Sequence, residues 1–173
     1  MNTSIAAGFV GDSVELLRDT YLPRMQRAVE ALPHDDLWWR PHPDALAFGT
    51  ILLHLEGNVR QWICSGLGGA PDQRNRASEF AAQSGPAVAV LLARLRATVE
   101  EACAVIARMD AAALERDYAI QGNRVSGRWA VYHVVEHFAW HTGQAVWIAK
   151  ARAGARHGIA FYDDARANAA RNG

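Results

Sequence analysis

The chain has 173 residues, of which half are hydrophobic and 21% are charged, enough for one domain with a real core and too few for two. Its 18 basic and 18 acidic residues cancel, so no overall field favours binding to nucleic acid or to an anionic membrane. Two widely separated cysteines, no basic leader and no apolar run of about 18 residues favour a cytoplasmic location with reduced thiols.

Apolar residues at helical spacing predict four amphipathic helices, each bounded by proline, glycine or a capping residue. The four predicted helices cover approximately residues 14–32, 50–65, 86–109 and 127–153. Asp12 or Ser13 is the expected cap of the first helix, and Ser126 of the fourth. We expect an all-α protein, because no long alternating segment indicates a sheet.

The connections are predicted to be less regular. Residues 66–80, GLGGAPDQRNRASEF, are interpreted as a solvated loop with no specific role. Before the fourth helix, Gln121 and Gly122 stand between YAI and RVS, which allows a small hairpin. The tail after Gly154 has room for one short helix.

Three histidines, His133, His137 and His141, recur at four-residue intervals in the fourth predicted helix. Neighbours four residues apart share a face, but the outer two are about 12 Å apart along the axis. Either adjacent pair can therefore chelate one ion, but not all three together. All three lie on the apolar face, where an unsatisfied polar group costs about 1 to 3 kcal/mol. The cluster favours metal ligands over ordinary core histidines that bond to a carbonyl or carboxylate.

A fourth histidine, His54, lies at the border of the apolar face of the second helix, within about 40° of Asn58 and Gln61. That position suits a ligand at the mouth of a helical bundle, and it equally suits a solvent-facing histidine. On the fourth helix, Gln144 follows the histidine face. We expect these polar neighbours to lie in a second shell or a pocket.

Three segments carry a family resemblance: WWRPHPDALAFGTILLH, HLEGNVRQW and HFAWHTGQ. They resemble the DinB-like superfamily of metal-binding four-helix proteins, and the resemblance extends over nearly the whole chain. It implies one domain over residues 1–173, built as an up-down-down-up four-helix bundle. It also implies that His54, His137 and His141 are the metal ligands, and it leaves His133 to the second shell or the cavity wall.

Three neutral imidazoles leave a divalent ion its full charge and open positions, as in catalytic rather than structural sites. Zinc or nickel is expected, with manganese or iron as alternatives. The resemblance implies a low-molecular-weight thiol, such as bacillithiol or mycothiol, and an electrophile as substrates; one branch of the superfamily isomerises maleylpyruvate. The first hypothesis is therefore a metal-dependent thiol S-transferase, and the resemblance also implies a homodimer.

Two further hypotheses stay open from the residues. One is a hydrolase that acts through metal-bound hydroxide, although Glu56 and Glu136 project away from the histidine face. The other is a non-catalytic, metal-binding stress-response protein. Trp140 lies beside the histidine stripe, where it either walls an apolar substrate pocket or fills a core or dimer interface. Cys64 is expected to be a buried thiol rather than a nucleophile.

Overall fold

The computed structural model describes residues 2–154, and it confirms the predominantly helical fold that the sequence predicts. The expected tail helix lies outside the described residues. Within the described residues, seven α-helices and one hairpin follow in chain order: α1 (Thr3–Val14), α2 (Leu22–Ala31), α3 (Phe48–Val59), α4 (Arg76–Ala81), α5 (Val88–Ile106), α6 (Ala111–Glu115), β1 (Asp117–Ile120), β2 (Asn123–Ser126) and α7 (Gly127–Ala153).

Two of the long helical stretches contain π-helical turns. The segment Glu15–Tyr21 joins α1 to α2 without a break, and the segment Arg60–Ser65 extends α3. The expected cap at Asp12 or Ser13 is wrong, because the helix begins at Thr3, where the side chain of Asn2 accepts a bond from the backbone N–H of Ser4. The sequence did not indicate this first turn, because the small residues of the segment IAAG do not form a clear apolar pattern.

The second predicted helix begins at Phe48, two residues earlier than the pattern indicated. Phe48 is fully buried, and so is Thr50, so this end of α3 is set by core packing rather than by a polar cap. The side chains of both residues therefore belong to the interior that supports the rest of α3.

The predicted hairpin and the predicted start of the last helix are confirmed. Strand β1 pairs antiparallel with β2, and Gln121 and Gly122 form the turn with φ of 52° and 76°. Two positive φ values define the tight turn that matches the strand twist. The hydroxyl of Ser126 accepts a bond from the N–H of Trp129 at 3.1 Å and caps α7.

The core lies between the long helices, with α3 packed against α5 and α7, and α2 packed against α7. His54 of α3 meets His137 and His141 of α7, whereas Trp62, two turns further along, meets His133. Helices α3 and α7 therefore run in opposite directions. Among residues 2–154, no helix is long and apolar enough to cross a bilayer.

Candidate metal centre

Three histidines from two antiparallel helices converge at one point. His54 comes from α3, and His137 and His141 come from consecutive turns of α7; one ring nitrogen from each lies within 4.8 Å of the other two. The ring centroids are 4.5 to 5.0 Å apart. The i, i+4 spacing supplies the pair on α7, and helix packing supplies the third imidazole.

Two of the three rings have a hydrogen-bond partner at Nδ1. His54 Nδ1 lies 2.9 Å from Oε2 of Glu79, and His141 Nδ1 lies 2.7 Å from Oε1 of Gln144. An oxygen acceptor beside Nδ1 favours the tautomer with its proton there, in which Nε2 keeps a free lone pair. The Nε2 atoms of His54 and His141 are therefore the candidate ligand atoms.

The third ring, His137, is placed differently. Its Nε2 lies 3.2 Å from Nε2 of His54, and its buried Nδ1 has no hydrogen-bond partner among the described residues. A buried ring nitrogen without a partner is unusual in a folded protein.

Burial keeps the two imidazoles of α7 in this centre uncharged. Burial, with the neighbouring histidines, lowers the pKa of His137 to about 3. Burial also lowers the pKa of His141 to about 4, although the bond with Gln144 opposes the shift. At neutral pH both side chains are neutral, which is the form that donates a lone pair to a metal.

The arrangement fits a divalent transition metal. Nitrogen ligands lie about 2 Å from zinc and hence about 3 to 4 Å from one another, close to the spread of the three imidazoles. Imidazole is a ligand shared by zinc, nickel, copper and iron, so the donor set does not distinguish among them. The facing Nε2 atoms of His54 and His137 are consistent with an ion at this point.

The comparisons with known proteins identify the family. A family model described as mycothiol-S-transferase matches residues 15–154, which is most of the chain. The chain belongs to the mycothiol-S-transferase family. This family is DinB-like, so the resemblance recognised from the sequence is confirmed. A comparison with curated proteins finds no match.

In this mycothiol-S-transferase family member, His133 lies beside the three histidines rather than among them. Its ring stacks on Trp129 with the ring planes 5° apart, and it contacts Trp62 with centroids 4.4 Å apart. Its centroid lies 5.5 Å from that of His137, and burial lowers its pKa. His133 therefore forms an aromatic wall next to the centre.

The other polar residues singled out from the sequence differ in their distance from the centre and in their contacts. Gln144 contacts His141 directly, as described above. Gln61 lies further out, where its carbonyl accepts a bond from Arg74 and its amide donates to Asp72. Asn58 is buried, and its Oδ1 has no hydrogen-bond partner among the described residues.

Trp140 is 65% exposed and lines a cavity of about 520 Å³ together with Trp147, Leu46, Ile51 and Gln144. Because Gln144 also bonds to His141, the cavity adjoins the histidine centre. Trp140 therefore does not fill the core, and a pocket wall and a dimer interface both stay predictions.

The interpretation of residues 66–80 as a solvated loop is wrong at Arg74 and Glu79, which are buried, and at residues 76–80, which belong to α4. Glu79 of α4 is buried against His54, and the side chain of Arg74, which is 4% exposed, bonds to both carboxylate oxygens of Glu79. Burial alone would raise the pKa of Glu79, but the bonds from Arg74 and His54 outweigh it and hold that pKa below its usual value. The available signal was Gly57, an interior glycine one turn after His54, since such a glycine often marks a close approach.

Proposed function

We propose that this protein is a metal-dependent transferase that joins a low-molecular-weight thiol of the mycothiol kind to an electrophile. Membership of the mycothiol-S-transferase family supports the thiol. The convergence of three imidazoles from α3 and α7 is the observation that carries the proposal. We further propose a single up-down-down-up four-helix domain over residues 1–173, and a homodimer.

His54, His137 and His141 are the proposed ligands, each through one ring nitrogen. A divalent ion held by neutral ligands keeps its charge, leaves positions open and lowers the pKa of a thiol that binds to it. The protein's part is to keep His137 and His141 neutral by burial, and to orient the rings of His54 and His141 through the acceptors Glu79 and Gln144. These two acceptors keep the Nδ1 protons in place, so that the lone pairs face inwards.

The apolar cavity next to Gln144 is the proposed site of the electrophile. Its volume, about 520 Å³, falls within the range of small-molecule sites, and its lining is apolar with indoles at the rim. In the reaction the thiol releases its proton to solvent water, and its sulfur bonds to an electrophilic carbon. The bond to the leaving group breaks, and the leaving group takes the bonding electron pair.

Hydrolysis is less well supported than thiol transfer, because the carboxylates near the centre are already paired. Glu79 is already bonded to Arg74 and His54, and Glu56 forms ion pairs with Arg94 and Arg60. A hydrolase acting through hydroxide is expected to have a free general base near the water. Neither of these carboxylates is free for that role.

A conjugation assay tests the proposal. Metal-stripped protein is reloaded with zinc or nickel and incubated with mycothiol and a bimane electrophile, and the formation of the thioether is followed by fluorescence. We expect product only when metal, thiol and protein are all present, and loss of activity in His141→Ala. Thiol-independent cleavage of an ester panel would instead indicate the hydrolase. Metal-dependent thermal stability without either reaction would indicate the non-catalytic protein.

A further inference from the structure

We propose that Glu79, held by Arg74, is a positioning residue that fixes the tautomer of His54, and that residues 72–81 are therefore part of the metal centre. The effect on metal binding rests on the proposed function, because it requires His54 to be a ligand. The tautomer itself is a property of the metal-free protein, and it can be measured without any metal.

Two groups compete for Nδ1 of His54. Oε2 of Glu79 lies 2.9 Å away and Nη2 of Arg74 lies 3.2 Å away. An arginine N–H can only donate and a carboxylate can only accept, so the two contacts require opposite tautomers. If Nδ1 were bare, its lone pair would face a carboxylate oxygen at 2.9 Å. The arrangement therefore favours an N–H at Nδ1 that donates to Glu79.

The N–H groups of Arg74 make better hydrogen bonds to Glu79 than to the ring nitrogen of His54. Its Nε donates to Oε1 of Glu79 at 2.7 Å, and Nη2 donates to Oε2 at 2.9 Å, which gives the forked pairing of a guanidinium with a carboxylate. Both side chains are nearly inaccessible to solvent, at 4% and 9% exposure. A paired, buried carboxylate of this kind is a fixed acceptor, and it orients the imidazole that faces it.

Hydrogen bonds within residues 72–81 and from this segment to Gln61 hold Arg74 in place. Nη1 of Arg74 donates to Gln61 at 3.0 Å, and the carboxylate of Asp72 accepts from both Gln61 and the backbone N–H of Arg74. The side chain of Asn75 caps α4 by accepting from the N–H of Ser78. These bonds link the loop to α3 and define the position of Glu79 at His54.

Helix α3 also makes room for this carboxylate. A Cβ at residue 57 would overlap Oε1 of Glu79 and would lie 2.9 Å from Nε of Arg74. A glycine inside a helix costs about 1 kcal/mol relative to alanine, so its presence here calls for a packing reason. At Gly57 the reason is the close approach of Glu79.

The fixed tautomer has a consequence for His137. The two Nε2 atoms of His54 and His137 are 3.2 Å apart, so one of them carries the hydrogen between them. In the neutral form of His54, a proton held at Nδ1 by Glu79 leaves Nε2 without one, so the hydrogen belongs to His137 Nε2. In metal-free protein we therefore expect His54 with its proton on Nδ1 and His137 with its proton on Nε2.

The first test is long-range ¹H–¹⁵N correlation spectroscopy of metal-free protein labelled on the histidine ring nitrogens. We expect the Nδ1–H tautomer at His54. The Nε2–H tautomer at His54 would overturn the inference while leaving metal binding by the three histidines untouched. Conversely, a wild-type protein that takes up no metal would overturn the proposed function, and the tautomer would still be decided.

The second test compares zinc affinity, measured by competition with a chromophoric chelator, in two pairs of matched variants. Glu79→Gln is compared with Glu56→Gln, because Glu56 lies on α3 and is paired with Arg94 at 2.9 Å without contacting a histidine. We expect affinity to fall about 10- to 100-fold for the first and to stay within about threefold for the second. Equal effects of the two substitutions would overturn the inference.

The second pair keeps every polar group and tests the position of Glu79 alone. Gly57→Ala displaces the carboxylate, whereas Gly143→Ala adds the same methyl group to α7 at a point with no heavy atom within 4 Å. We expect weaker zinc binding only for Gly57→Ala, with helical content retained in both variants by circular dichroism. If neither Gly57→Ala nor Glu79→Gln changed the zinc affinity, the inference would also be overturned.

Discussion

The imidazole of His133 lies parallel to the indole of Trp129, with ring centroids 5.2 Å apart. The same ring also contacts the indole of Trp62, with centroids 4.4 Å apart. The spacing on α7 alone left open which adjacent pair chelates. The geometry is consistent with the pair His137 and His141, and it gives His133 an aromatic role.

Replacing His133 with phenylalanine should therefore leave the metal affinity nearly unchanged. Phenylalanine keeps the stacking on Trp129 but removes both ring nitrogens. We expect the zinc dissociation constant to change by less than about threefold, whereas His137→Ala should weaken binding by at least about 100-fold, since it removes a direct ligand. Titration calorimetry measures both values. A large loss in His133→Phe would mean that the other pair on α7 takes part.

The two cysteines should be inert in the native protein. Burial raises the pKa of Cys64 to about 12 and that of Cys103 to about 11. The thiolate is the reactive form, so labelling with an aromatic disulfide at pH 8 should be slow, and it should accelerate about tenfold per pH unit as the thiolate fraction rises. In denaturant both thiols should react at once. Fast labelling of native protein would contradict this account, and Cys64→Ser should retain thiol conjugation.

Gly143→Ala should stabilise the protein. Gly143 lies inside α7 with open space around it, so an added methyl group meets no neighbour and lowers the cost of ordering the helix. We expect the free energy of unfolding to rise by about 0.5 to 1 kcal/mol in urea titrations. A loss of stability that grows with protein concentration would indicate that a partner subunit covers this face.

Trp140→Ala should affect substrate recognition more than stability. The side chain is 65% exposed, so its removal should change the free energy of unfolding by less than about 0.5 kcal/mol. Because the indole lines the apolar cavity, we expect KM for an aromatic electrophile to rise while KM for the thiol stays constant. Steady-state kinetics with each substrate varied in turn provides the measurement. A rise in KM for the thiol alone would place the thiol, not the electrophile, in this cavity.

Much of the fold was predictable from periodicity, because the long helices bury apolar stripes and Ser126 and the Gln121–Gly122 turn carry local signals. The residues at which the helices begin were harder to predict. Thr3 begins a helix whose first residues are small, and Phe48 is held by core packing that no local pattern records.

The histidine centre was partly predictable. The i, i+4 spacing on α7 indicated a site, but only the resemblance to a family connected it with His54 on α3. The Glu79–Arg74 pair could not be read from the sequence, because nothing local distinguishes a charged residue in a polar loop from one that folds back onto a buried imidazole. The one signal of that contact was Gly57, because a glycine inside a helix often marks a close approach.

The most direct test of the central claim is the metal content and zinc-binding stoichiometry of the purified, untagged protein, measured by elemental analysis and titration. We expect one divalent ion per chain, removed by a chelator and restored by zinc or nickel. His54→Ala should lose this ion although it leaves the pair on α7 intact. A wild-type protein that neither carries nor takes up a metal, or a His54→Ala variant that binds it as tightly, would contradict a centre shared by His54, His137 and His141.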